Sequence, residues 1–177
     1  MKIKVKPELK RQYSSLNKLL ADIIKENNGE YLVSKVRLDG WILTYFDEAQ
    51  LEKIKPEDYK EIEIFLENIE DFKNKTISNF FELIDELESM LEPCAKAFKL
   101  YDLTRANVLL EKILEGFSSA LAFIDTVKPE GGKEVLENSL SVLDRLVKCQ
   151  EGEKYEEIGL ILEKEISSIL EKCKTLF

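Results

Sequence analysis

The chain opens on alternation. In KIKVK, Ile3 and Val5 fall on one face and Lys2, Lys4 and Lys6 on the other, which is the period of a half-buried strand. A strand is predicted over residues 2–6. Pro7 suits a first helical turn, and Leu9, Tyr13, Leu16, Leu19, Leu20, Ile23 and Ile24 then recur on one stripe until Asn27-Asn28-Gly29. That spacing predicts one helix over about residues 8–27. YLVSKVRL and WILTYF flank Asp39-Gly40, and an Asp-Gly pair between two β-rich runs signals a hairpin. Asp47 followed by Gln50 resembles a capping box and opens a short helix through Ile54, which Pro56 ends. EIEIFL from Glu61 alternates again.

The order β-α-β-β-α-β within the first 70 residues is the ferredoxin-like, split-βαβ arrangement, which sets the two end strands side by side at the sheet centre. The charges agree. With those strands adjacent, the Lys2, Lys4, Lys6 row meets Glu61 and Glu63, and opposite charges across a strand pair favour the pairing. Two ordinary solvated faces would give the same pattern, and the short second helix leaves a simpler sheet-and-helix cap open.

From Phe72 the period is helical to the end. Ile77, Phe80, Phe81, Ile84, Leu87, Leu91 and Phe98 share one side of a helix that Pro93 is expected to kink or end. Ala106, Leu109, Leu110, Ile113, Phe117, Ala120, Leu121, Ile124 and Val127 form a second run, after a turn at Tyr101-Asp102-Leu103-Thr104. Two more helices pair about Gln150-Glu151-Gly152-Glu153. A shift of 52 residues lays ELIDELESMLEPCAKAF (82–98) on EVLENSLSVLDRLVKCQ (134–150), and VLLEK (108–112) on LILEK (160–164) without a gap. Leu114 then falls on Ile166 and Phe117 on Ile169. Amphipathic helices resemble one another in any case, but a register kept through a turn predicts two αα-hairpins of one design, about 73–127 and 130–175. The expected fold class is α+β, predominantly helical: a small N-terminal domain over 1–70, followed by a four-helix bundle over 71–177.

Composition narrows the function. Of the net charge of −9, residues 1–70 carry 12 basic and 14 acidic side chains and residues 71–177 carry 14 and 21, so the helical part is the acidic part. With four arginines in all, the chain is a poor match for nucleic acid, which is held by neutralising phosphates. The three cysteines, Cys94, Cys149 and Cys173, sit in helical pattern at wide spacing and read as reduced core thiols. MKIKVKPELK lacks the apolar run of a signal peptide, and no segment approaches a membrane span. A cytoplasmic protein is expected, with no membrane partner. Lysine and glutamate dominate the charges, a bias found in thermophile proteins.

There is no histidine, which removes the commonest catalytic dyads and triads and the Glu-x-x-His ligand set of di-iron bundles. Carboxylate pairs such as Glu156 and Glu157, or Glu82 and Glu86, read as solvated faces. Glu130-Gly131-Gly132-Lys133 lacks the spacing of a phosphate-binding loop and is a linker. Asn74-Lys75-Thr76 matches a glycosylation acceptor by chance. Trp41 and Tyr45 could stack on bases, but without a basic, glycine-containing motif they are expected to pack under the first helix. No catalytic residue, cofactor or metal is expected. The function that remains is a non-enzymatic protein-interaction module: an adapter, assembly factor or chaperone-like protein. Bacterial secretion and flagellar chaperones are similar in size and charge, a resemblance of architecture that carries over no residues. The alternative is a small-molecule binder or enzyme with a carboxylate site between the two domains. Val108 and Phe123 lie outside the main stripe of their helix and are the candidate partner surface, for a partner protein or a second copy, unless the N-terminal domain covers them.

Overall fold

A computed structural model describes residues 1–43 and 47–177. The fold is α+β and predominantly helical, with one four-stranded antiparallel sheet. It divides into two compact units, Met1–Lys75 and Thr76–Phe177.

In the first unit the strands are β1 (Lys2–Lys4), β2 (Tyr31–Leu38), β3 (Trp41–Leu43) and β4 (Ile62–Asn68). Asp39 and Gly40 join β2 to β3 with φ of +46° and +90°, the two left-handed positions of a tight hairpin turn. The Asp39 carboxylate accepts from the backbone N–H groups of Glu61 and Lys60, and the Glu61 bond in particular holds its pKa below the ordinary value. The sheet order is β1-β4-β2-β3, which corrects the ferredoxin-like expectation. The end strands do pair, with Ile3 opposite Ile64, but β1 is an edge and only β4 is central. The reason is what each strand can bury. β4 has Ile62, Ile64 and Leu66 under the helices and Glu63 buried on its other face, so it needs a partner along both edges. Three residues with lysine at both ends suit an edge. The charge rows do meet: Lys2 pairs with Glu63 and Lys4 with Glu61, while Arg37 reaches Glu63 from β2 at 2.9 Å.

The single helix expected over 8–27 is two, α1 (Pro7–Lys10) and α2 (Leu16–Glu26). Ser15 caps α2 by accepting from Lys18 N–H, and the Leu16 N–H donates to Ile54 O at 2.7 Å. The break turns Lys10 inward, where its ammonium donates to the carbonyls of Tyr59 (2.8 Å) and Lys60 (2.6 Å). Past the hairpin, α3 (Glu48–Leu51) is capped by Asp47. Leu16, Leu19, Leu20 and Ile23 pack with Val36, Leu38, Ile62, Ile64 and Leu66 into this unit's own core.

α4 (Ile69–Lys99) begins in the first unit and runs on into the second, where it is followed by α5 (Leu103–Val127) and α6 (Gly132–Glu151). A last leg consists of α7 (Tyr155–Leu160), a π-helical segment over Ile161–Ile166 and α8 (Ser167–Lys174). α4 continues through Pro93 instead of ending there; buried Leu91, Cys94, Ala95 and Phe98 pin it on both sides of the proline. The inward residues of all four legs form one cluster.

The backbone repeats the 52-residue correspondence at the turns. Tyr101 and Glu153 have φ of +57° and +54°. Three backbone hydrogen bonds close each turn: Leu100 N to Lys96 O, Tyr101 N to Phe98 O and Asp102 N to Ala97 O, matched by Gly152 N to Lys148 O, Glu153 N to Gln150 O and Lys154 N to Cys149 O. Each donor and acceptor lies 52 residues after its counterpart, in the manner of a helix ended by one left-handed residue. Beyond the turn, buried Ala106 and Leu110 match Ile158 and Leu162 at the same shift. Then the register slips: Ile113, Phe117 and Ala120 find their buried counterparts in Ile166, Leu170 and Cys173, 53 residues on. The π-helical segment lies at the slip. A π turn accommodates one extra residue and returns the apolar stripe to the core.

Candidate functional site

Surface and interior divide α5 cleanly. Ala106, Leu110, Ile113, Phe117, Ala120 and Ile124 are buried, as their spacing requires. The two candidate surface residues part company. Val108 is 51% exposed. Phe123 is half-buried, its ring 4.9 Å from that of Phe80 and 5.5 Å from that of Phe177; Phe80 and Phe177 also meet, at 5.2 Å. Phe123 is therefore held by aromatic neighbours within its own unit, and 15 residues of helix separate it from Val108.

A larger apolar surface lies on α6. Its buried stripe is Val135, Ser139, Val142, Leu146 and Cys149. One position further round run Leu136, Leu140, Leu143 and Val147, at 4-3-4 spacing. Leu136 and Leu143 are half-buried against the core, whereas Leu140 and Val147 are 67% and 52% exposed. The sequence reading passed over this stripe, although its spacing is legible: a helix that carries two adjacent apolar stripes has one more than it needs to bury itself.

Hollows lie at both turns. One of about 340 Å³ is lined by Glu92, Pro93, Lys96, Ala97, Leu100, Asp102 and Arg105. Another of about 370 Å³ is lined by Arg145, Lys148, Cys149, Lys154, Glu157 and neighbours from the π segment. Those five residues follow Pro93, Lys96, Ala97, Asp102 and Arg105 by 52, so both hollows are products of the same turn. The cations of the second are engaged within the chain: Arg145 with Glu165, Lys148 with Asp144, Lys154 with Glu157. Among the described residues, no buried polar side-chain atom lacks a hydrogen-bond partner.

All three thiols are free and buried. Burial pushes Cys94 and Cys173 up to about 11. Cys149, at the rim of the second hollow, is raised by burial and by the Glu157 carboxylate, 3.4 Å from its sulfur.

On the sheet, Trp41 is 83% exposed and not packed under the first helix as expected. It stands at the turn end of an edge strand, opposite Leu38. Tyr45 lies outside the described residues. No helix among the described residues is long and apolar enough to cross a membrane.

A family model described as "Domain of unknown function (DUF8042)" matches residues 75–176, which takes in α5, α6, the last leg and most of α4. No curated protein and no solved structure matches the chain.

Proposed function

The chain belongs to the DUF8042 family, and we propose that it is a non-enzymatic interaction module of the cytoplasm, an adapter or chaperone-like protein that presents a helical surface to a protein partner. One observation carries this reading: the helical unit has buried a complete set of inward stripes, yet Val108, Leu140 and Val147 remain on its surface. Leu140 and Val147 lie on one stripe of α6, and large apolar side chains that share an exposed face are a mark of association. The acidity of this part of the chain fits a protein partner and disfavours nucleic acid. We further propose that the unit is a four-helix bundle made of two copies of one αα-hairpin, a reading that the repeated turn hydrogen bonds support.

Affinity capture with the full-length chain from its source cells, in parallel with its Val108→Ser and Leu140→Ser variants, tests the proposal. A protein recovered in stoichiometric amount with the wild type, and reduced with at least one variant of unchanged melting temperature, is the expected result. Equal recovery with every variant would overturn it. So would a metabolite that raises the melting temperature at saturation with no protein recovered, since that is the signature of a small-molecule binder.

A further inference from the structure

The two hairpins contain the same surface twice, once covered and once with Leu140 and Val147 left exposed, and the covered copy describes what the open one lacks. Counting back 52 residues from Leu136, Leu140, Leu143 and Val147 gives Ile84, Glu88, Leu91 and Ala95 on α4. There Ile84, Leu91 and Ala95 are buried, and the last leg of the same unit lies along them. Gly159 of α7 approaches so closely that an added Cβ would sit 3.4 Å from Ala95 O. At the other end, Lys174 of α8 pairs with Glu88 at 2.7 Å. Contacts that run from Ala95 back to Glu88 on α4 and from Gly159 forward to Lys174 on the leg make the covering helix antiparallel.

Charge along the margin of the stripe completes the comparison. On α4 the margin is Asp85, Glu92 and Lys99, and the covering leg answers it with opposite charges: Lys174 to Asp85 at 2.6 Å and Glu163 to Lys99 at 2.7 Å. On α6 the corresponding margin is Glu137, Asp144 and Glu151, acidic at all three places. At 100° per residue this row flanks the stripe on the side away from the buried face. The i,i+4 pairs Lys133–Glu137 and Lys148–Asp144 are exposed, and exposed pairs of this kind are weak, so a better-placed cation displaces them readily.

We infer that Leu136, Leu140, Leu143 and Val147 form a docking groove for a basic amphipathic helix from a partner protein. That helix lies along α6 as the last leg lies along α4, with its apolar stripe on these four residues and Lys or Arg against Glu137, Asp144 and Glu151. From Leu136 to Val147 the groove is roughly 16 Å long at 1.5 Å rise per residue, a length that three helical turns cover. A second copy of the chain is a poor occupant. Two α6 helices packed antiparallel through this stripe would bring together two margins that each carry Glu137, Asp144 and Glu151 against Lys133 and Lys148, and this acidic excess on both sides opposes association. The inference rests on the interaction-module reading and names the partner's chemistry.

The test uses the full chain and two synthetic helical peptides of about 20 residues, each with leucines at 4-3-4 spacing and flanked by lysine in one and by glutamate in the other. Binding is read by fluorescence anisotropy. The wild type should bind the lysine peptide about tenfold or more tightly than the glutamate peptide, with affinity falling as salt rises. Leu140→Asp with Val147→Asp should abolish binding without lowering the melting temperature, since both side chains are exposed. Glu137→Lys with Asp144→Lys should invert the preference between peptides. Equal binding of the two peptides, binding that survives the aspartates, a preference that fails to invert, or no binding to the wild type would each overturn the inference. A dimer that sediments as such and is lost with the aspartates would overturn it too, in favour of a second copy. Because affinity capture with the Val108→Ser variant does not involve α6, a failure here with success there removes only this groove and leaves the interaction module standing.

Discussion

The first hairpin, α4 with α5, and the second, α6 with the last leg, share a turn to within a few degrees of φ and bond for bond, but they treat their surfaces differently. In the first, the second stripe of α4 is covered by the last leg; in the second, the corresponding stripe of α6 leaves Leu140 and Val147 to solvent. Interior sizes are exchanged as well. Leu87 on α4 meets Gly116 on α5, where an added Cβ would lie 2.7 Å from the leucine methyl. The matching buried residues of the second hairpin are Ser139 and Ile169, small on the first helix and large on the second. A local motif copied in sequence thus fixes local backbone, while what each copy covers is decided by where it stands among the others.

The sharpest way to break this comparison is to truncate matched positions. Leu91→Ala, in the covered stripe, should cost about 2–5 kcal/mol in chemical denaturation, and Leu140→Ala, in the bare one, less than about 0.5 kcal/mol. Equal losses would mean that the α6 stripe is packed. Gly116→Ala should cost about 1–3 kcal/mol, because the methyl has to displace a leucine that is 1% exposed. Ser139→Ala, at the position matching Leu87, should stay within about 1 kcal/mol, since its hydroxyl donates to its own helix at Val135 O.

The buried thiols contribute to the loss of stability at alkaline pH. Cys94 and Cys173 are held near 11 in the folded chain against about 9 when unfolded. A raised folded value leaves stability fully present below pH 9 and removes it as pH climbs towards 11, because only the unfolded chain then sheds protons. Melting temperature should fall across that window and fall less in Cys94→Ala with Cys173→Ala; a slope unchanged by the double variant contradicts the burial of these thiols.

The smallest expected effect probes the shared turn. Tyr101→Gly and Glu153→Gly each replace a residue at positive φ by one that adopts it freely. Glu153→Gly should stabilise by up to about 1 kcal/mol, and Tyr101→Gly by less, because it gives up the ring contact with Tyr155 at 5.8 Å. A loss at Glu153 would show that the turns differ in a way their hydrogen bonds do not.

Much of this was written locally. Alternation marks β1 and β4, Asp39-Gly40 marks the hairpin, Asp47 marks the start of α3, and the apolar spacing contains all six buried residues of α5 and, on α4, Phe80, Ile84, Leu87, Leu91 and Phe98 but not Ala95 or Ala97. Of the candidate surface, Val108 lies off the buried stripe of α5 and is exposed, whereas Phe123 required the positions of Phe80 and Phe177, distant in sequence, to be understood. The α6 stripe was legible as spacing but not as a surface, because periodicity tells which side of a helix is apolar and not how many neighbours it has.

By itself the sequence determined most of the elements, their apolar sides, the Asp39-Gly40 turn and the 52-residue correspondence, since each depends on residues a few positions apart and on the fixed periods of helix and strand. Only the tertiary structure decided the sheet order, the break between α1 and α2 that turns Lys10 to carbonyls 49 and 50 residues away, the π-helical slip and the bare face of α6. Each of those is a choice among partners of similar pattern. It is made by volume, hydrogen-bond satisfaction and charge across the chain, which no local window contains.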